Sequence, residues 1–541
     1  MHTMAPFTKL PIEVLESIFL LLDDPQSFLA VSQANRFIKD LTTDAPLIWR
    51  HFCRTHFRFW APHHDIAAKL EGPLSSVDWR ALFIQRVNVE QQTLRLLDQV
   101  LATPHNRIKH MNEIAKFGYD TKDVLLRECA SSLEKNDVLA RRWYADAILQ
   151  RVQREMAIEV WKELDDGADV SIERALAAYD VFTRTHEDAD FDKVSEVLDR
   201  LANRLLKEHP GYRDLSTRIK ASTLASFLHE QGFCGVTHSS YRNLSNSFIS
   251  LVLHSERHES LPLISAAIYC ALARRVGLDA RPCGFLFHVY CIIYAPQDWT
   301  LDGIYKPSKK TEVDFMYLDP FRSSDEVPVE DLRHSLREMG IPTSQHPSFL
   351  SDTTVQELVL RAARNILNSV QAIHQSEDTS DAHPMWVQAV PDMDSSFYST
   401  IWSKIILGPD GTTTESSITS RWRQYLPYLI KHLQAHYPWD VPLLEKYIIP
   451  MFSRLPDRLR LEQFVETMQR NDETPKPARR RGRHSENVKY KVGQVFTHTR
   501  YRYEGVIIGW DTSCDLGEDW ARTMNVDSLA RGRNQAFYHV M

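Results

Sequence analysis

Apolar residues recur at spacings of three and four along most of the chain, the period of amphipathic helices. Near the start, Leu15, Ile18, Phe19 and Leu22 share one such face. Pro11 suits the first turn of that helix, where no backbone N–H is missed. Asp23, Asp24 and Pro25 end it and open the next helix. About fifty residues in short helices make a small core, so an apolar face is left over for a partner. The plainer alternative is a helical hairpin packed on its own domain. A helix-rich stretch opens at Asp78-Trp79-Arg80 and covers 78–220, with periodic segments at 86–101, 135–164, 171–184 and 191–207 and a loop at 186–190. Residues 221–325 mix helix and strand. Helices return at 352–372 and 418–468, and 373–417 between them reads as polar, with a Gly-Pro-Asp-Gly turn at 408–411. The stretch 373–470 is thus a helical extension. Prolines and arginines at 475–483 mark a basic tether within a linker at 471–487. From Val488 the pattern turns to β-branched and aromatic residues around Gly493, Gly505 and Gly509, which suits a small, strongly bent barrel.

At 541 residues the chain exceeds one core, and two to four domains are expected. A net charge of −7 carries no global nucleic-acid signal. Seven cysteines, scattered and odd in number, suit reduced thiols in cytoplasm or nucleus rather than a secreted disulfide framework. The first ten residues hold no apolar leader, and the longest nearly apolar run, 284–295, is too short to span a bilayer. The fold class expected is multidomain and mainly α, with no cofactor, no metal site and no membrane partner.

Leu10-Pro11, Val14-Leu15, Ile18, Leu21-Leu22, the Asp-Asp-Pro break and Leu47-Ile48-Trp49-Arg50 occur in an order that resembles the F-box, over residues 6–60. The resemblance implies docking on a Skp-family adaptor of a cullin-type ubiquitin ligase. Leu10, Pro11, Leu15, Ile18, Leu22 and Trp49 are the contact residues it implies.

Ala175 to Asp180, Val197 to Ala202, Asn243 to Ile249, Leu261 to Ile264, Ala273 to Leu278, Phe285 to His288 and Leu318 to Phe321 together are similar to the transglutaminase-like superfamily, in its SirB-type branch. That resemblance implies an α-rich α+β body over 171–372. Active members start a helix with cysteine and place a histidine and an aspartate on following strands. A helix N-terminus favours thiolate, and the histidine activates the sulfur while the aspartate orients the imidazole. Counting back from Gly277 puts Pro262 at the cysteine position, while His288 and Asp319 match the other two. Cys270 lies about 12 Å further along the helix and ~80° around it, too far to substitute. The set reads as vestigial, with no catalytic residue. His288 and Asp319 keep two alternatives: a buried pair that fixes the sheet, or a retained pocket that grips a substrate peptide. On one continuous strand Cys283 and Cys291 would share a face opposite His288, so no metal site is expected, and core packing accounts for both cysteines.

Tyr490 to Val495, His498, Arg500-Tyr501, Gly505 to Asp511, Trp520 and Gln535 to Val540 resemble the YccV-like, or hemimethylated-DNA-binding, domain over 488–541, with Ala536 in place of the usual proline. Tyr501, Trp510 and Trp520 are its candidate ligand contacts. Between 475 and 505, nine Lys/Arg interleave with Tyr490, Phe496, Tyr501 and Tyr503, a mixture able to hold phosphates and stack bases. Asp511, Asp515, Glu518 and Asp519 oppose that reading, and a protein-binding barrel is preferred. The arginine run also suits nuclear import. The family's last strand continues beyond the position of Val540, so an incomplete barrel with an exposed edge is expected. The order of the three pieces resembles F-box-only proteins with this body and tail. It implies the substrate-recognition subunit of an SCF-type ubiquitin ligase that recruits an unidentified protein. A DNA-binding tail and a residual acyl-transfer or protease-like enzyme are the alternatives.

Overall fold

The computed structural model describes residues 10–540 apart from 23, 35, 44, 132–137, 185–189, 238–239, 307–312, 378–390, 409–414, 453–454, 476–484, 500–501 and 515–517. Two compact units form, Met1–Thr474 and Pro475–Met541. Asp23, most of the 186–190 loop, the turn at 409–411, the basic run from 476 and Tyr501 lie outside the described residues.

The larger unit opens with four short helices, Ile12–Phe19, Pro25–Ser32, Arg36–Thr43 and Pro46–His56. Pro11 stands just before the first. Asp24 caps the second by accepting Ser27 N at 2.8 Å, and Pro25 occupies its first turn. Leu15, Phe19, Phe28, Ile48, Trp49 and Phe52 form the core of this layer. Their small volume is completed by Trp79, Leu82 and Phe83 from the long helix Trp79–Ala102. Buried Arg86 of that helix joins the layer to the rest. Its guanidinium donates to the carbonyl of Phe59 at 2.9 Å and to that of Asp120, and lies 3.3 Å from the carboxylates of Asp120 and Asp123.

Helices Val138–Asp165, Ile172–Thr183 and Phe191–Glu208 follow, close to the expected segments, and Thr217–Glu230 comes after them. The helix Pro262–Arg275 is apolar nearly all round and sits at the centre of the largest core. An antiparallel sheet in sequence order, Asp279–Pro282, Cys291–Tyr294, Phe315–Leu318 and Glu326–Val327, packs against it. The helices Val355–Glu377, Met393–Ile406, Glu415–Ala435 and Asp457–Glu473 complete the unit.

Two expectations are corrected. Residues 373–417 are not merely polar: Met393–Ile406 is a buried helix. Its hydroxyls hide because they bond backward along the helix, Ser399 Oγ to Ser396 O and Thr400 Oγ1 to Phe397 O, while Tyr179 donates to Ser403 Oγ at 2.8 Å. The run 283–291 is not one strand. Cys283 N donates to Tyr290 O at 2.7 Å across a hairpin, and Phe287 at its tip has φ +59°. The turn breaks the alternation, so Cys283 packs with Phe285 and Tyr290 whereas Cys291 packs in the other core cluster.

In the smaller unit, Val495–Thr497, Glu504–Asp511 and Phe537–Val540 form a three-stranded antiparallel sheet with Glu504–Asp511 in the middle and an irregularity between Ile507 and Gly509. A short helix, Glu518–Thr523, lies between the last two strands in sequence.

Candidate functional site

The N-terminal layer divides its apolar residues between core and surface. Leu15 and Trp49, expected to touch a partner, are buried. Periodicity shows which residues share a face but not which face meets the core. Phe28 packs edge-on against Trp49 at 5.4 Å, and Trp49 Nε1 donates to Thr42 O at 2.8 Å. Leu10, Ile18 and Leu22 are half-buried and Pro11 is exposed. Among the described residues of this layer, Ile12, Val14, Leu21, Leu29, Phe37 and Leu47 are the large apolar side chains left in solvent.

The second site lies in the body. His288, on the hairpin loop, has Nε2 2.9 Å from Asp319 Oδ2, and Phe321 N donates to Asp319 Oδ1 at 3.2 Å. Arg361 Nη2 donates to His288 O at 3.1 Å. Pro262 occupies the first turn of its helix and shares with His288 the lining of a cavity of about 870 Å³. Tyr241, Arg361, Arg364, Lys404 and Tyr425 also line it, and sequence reading singled out none of them. A signal existed on the helix Val355–Glu377: Glu357, Arg361, Arg364 and Asn368 repeat at four, three and four.

Cys270 is buried with its Sγ 3.8 Å from Cys291 Sγ, packed inside the core. Burial pushes the Cys53 thiol up to about 12 and Cys283 up to about 11, and raises Cys291 well above the usual thiol range. A thiol reacts as its thiolate, so raising the pKa removes reactivity at pH 8 and returns it only as pH climbs towards the shifted value. Iodoacetamide at pH 8 is therefore expected to label exposed Cys234 first and to spare Cys53, Cys270, Cys283 and Cys291 in the folded chain. Peptide mass spectrometry reads the order, and early labelling of Cys270 would revive the acyl-transfer alternative.

Among the described residues, His63, His64 and Asp120 bring metal-type ligand atoms within 4.8 Å of one another. The Asp120 carboxylate is already engaged: it accepts Ala61 N at 2.8 Å, meets His64 Nε2 at 2.7 Å and neighbours Arg86. This cluster holds the joint between the N-terminal layer and the helical body.

Residues 7–55 match the family model F-box-like, 192–364 the transglutaminase-like superfamily, and 488–541 the hemimethylated DNA-binding protein YccV like. The chain carries F-box-like, transglutaminase-like and YccV-like domains. Over 98% of its length it is similar to F-box only protein 21 of Pongo abelii, at 22% identity and covering 83% of that protein. The Homo sapiens F-box only protein 21 aligns over the same shares at 21% identity. The Mus musculus protein aligns at 24% over 56% of this chain and 44% of its own. No solved structure gives a match.

In the YccV-like domain, Trp510 lies half-buried on the central strand and Trp520 is exposed on the short helix. Tyr538 accepts both Lys489 N and Tyr490 N at its hydroxyl, at 2.8 and 3.2 Å, tying the entry segment to the last strand. Arg533 is clamped by Glu518 at 2.5 Å and Asp527 at 2.9 Å, which raises its guanidinium further and lowers both carboxyls. The acidic groups here neutralise an arginine of their own domain.

Proposed function

We propose that the chain is the substrate-recognition subunit of an SCF-type cullin ubiquitin ligase. The F-box-like domain docks a Skp-family adaptor and, through it, the cullin core. The transglutaminase-like body and the YccV-like tail hold the target protein. The observation that carries this reading is the apolar set on the F-box-like domain: Ile12, Val14, Leu29, Phe37 and Leu47 are all more than 40% exposed, and Leu21 is 79% exposed. Six large apolar side chains in solvent within some fifty residues, beside a separate aromatic core, support a layer that meets a partner. The body acts without turnover in this reading, because Pro262 offers no sulfur at its helix start. Among the described residues no helix is long and apolar enough to cross a membrane. The thiol pattern points the reading to cytoplasm and nucleus.

Leu21→Asp combined with Leu47→Asp places charge on two of these exposed side chains without touching the core. Retention of a recombinant Skp-type adaptor by the full chain is expected to fall by at least about tenfold, with the thermal transition unchanged. Undiminished retention would refute adaptor docking through these residues.

A DNA-binding tail ranks second. It is carried by the description of the matching family and by the arginines at 479–481 and 483. Duplex binding by 475–541 with a steep inverse salt dependence would promote it.

A further inference from the structure

The cavity beside His288 is walled by the hairpin loop 284–289 and by the helices Val355–Glu377 and Glu415–Ala435, with Lys404 reaching in from Met393–Ile406. Its charges are unequal, three cations against one carboxylate. Arg361, Arg364 and Lys404 line it, and the carboxylate of the lining, Glu357, already accepts the Thr353 hydroxyl. His288 is held by Asp319, on the sheet strand's end. Among the described residues no ion pair engages Arg361, Arg364 or Lys404. Lys404 Nζ instead stands 5.2 Å from the Tyr425 ring. The positive end of the helix Pro262–Arg275 opens on the same space.

We propose that this cavity is a subsite for an acidic peptide, taking an extended segment with a carboxylate or phosphate side chain between Arg361, Arg364 and Lys404. The inference rests on the receptor reading of the body and gives that reading a substrate class.

Three features support a peptide over a small free ion. The space, about 870 Å³, exceeds what one anion fills. Tyr241, Leu286, Leu360 and Tyr425 add flat apolar walls that an ion alone would leave uncovered. Gln356, Asn365, Asn368 and Gln424 offer amide donors and acceptors suited to a peptide backbone. The electrostatics agree. Burial, then the neighbouring Arg364, lowers the pKa of both Arg361 and Lys404. Like charges gathered in a partly desolvated space are relieved when an anion enters.

The test uses the full chain and fluorescein-labelled hexapeptides read by anisotropy. Hexaglutamate is expected to bind, and hexaglutamine to bind at least about tenfold more weakly. Arg364→Glu and Lys404→Glu are each expected to weaken hexaglutamate by about tenfold. Arg364→Gln, a change at an exposed position, serves as a second variant whose thermal transition should match the parent. Inorganic phosphate should compete no better than sodium chloride of equal ionic strength. A phosphoserine hexapeptide that binds more tightly than hexaglutamate would assign the side chain as phosphate, and equal or weaker binding would assign carboxylate. Unchanged hexaglutamate affinity in both charge-reversal variants, or selective displacement by inorganic phosphate, overturns the proposal. Adaptor retention is measured on the same proteins. Retention without hexaglutamate binding sinks the subsite and leaves the receptor reading, whereas hexaglutamate binding without retention does the reverse.

Discussion

Replacing Asp440 by alanine is expected to destabilise the larger unit by about 3–5 kcal/mol, the range for breaking a buried ion pair from one side. Asp440 and Arg154 are both fully buried, with Asp440 Oδ2 2.9 Å from Arg154 Nη1. Arg151 Nε lies 3.7 Å from the other oxygen, but that arginine also has Glu155 at 2.7 Å. Arg154 is therefore the charge left stranded, stacked 3.9 Å from the Tyr437 ring centroid. Exchanging Arg154 and Asp440 together for apolar residues of similar volume should recover most of the loss, because the desolvation of both charges disappears with them. Urea unfolding of the two single variants and the double variant reads the coupling. A loss under about 1 kcal/mol for Asp440→Ala would show that the pair is not a structural clamp. The consequence reaches the cavity: Asp440 closes the turn after the helix Glu415–Ala435, which supplies Tyr425 to its wall.

Trp49→Ala is expected to cost about 3–5 kcal/mol, enough to unfold most of a four-helix layer with so little core. The indole meets Phe28 and Phe83, each at 5.4 Å between ring centroids, and its N–H is satisfied by Thr42. Adaptor capture should vanish with the layer's hydrogen-exchange protection. The contrast with Leu21→Asp separates a core role from a contact role. If Trp49→Ala abolished capture while protection of the helices Pro25–Ser32 and Pro46–His56 persisted, Trp49 would be a contact after all.

The three-part order of the chain was legible because each part carries residues in a fixed sequence. Helices such as Val138–Asp165 and Phe191–Glu208 were legible because their apolar residues repeat at the helical period. Met393–Ile406 was not, since serine and threonine hydroxyls look exposed until backward bonds to the helix carbonyls bury them. The hairpin at 283–291 was misread because a run of apolar residues does not announce a turn, and Phe287 is no glycine to mark a positive φ.

For the candidate sites the division is sharper. Sequence alone named His288 and Asp319, which lie 2.9 Å apart, because both stand in recognisable local motifs. It also located the F-box-like helices, but not their outward face. Periodicity sets the angle between residues, and only packing on Trp79, Leu82 and Phe83 decides which side is buried. The cationic cavity was decided wholly by tertiary structure. Tyr241, Pro262, Arg361, Lys404 and Tyr425 stand far apart in the chain, and no local rule couples them. They meet because four helices and a hairpin must pack around one apolar core, and the polar flanks of those elements converge on the space between them.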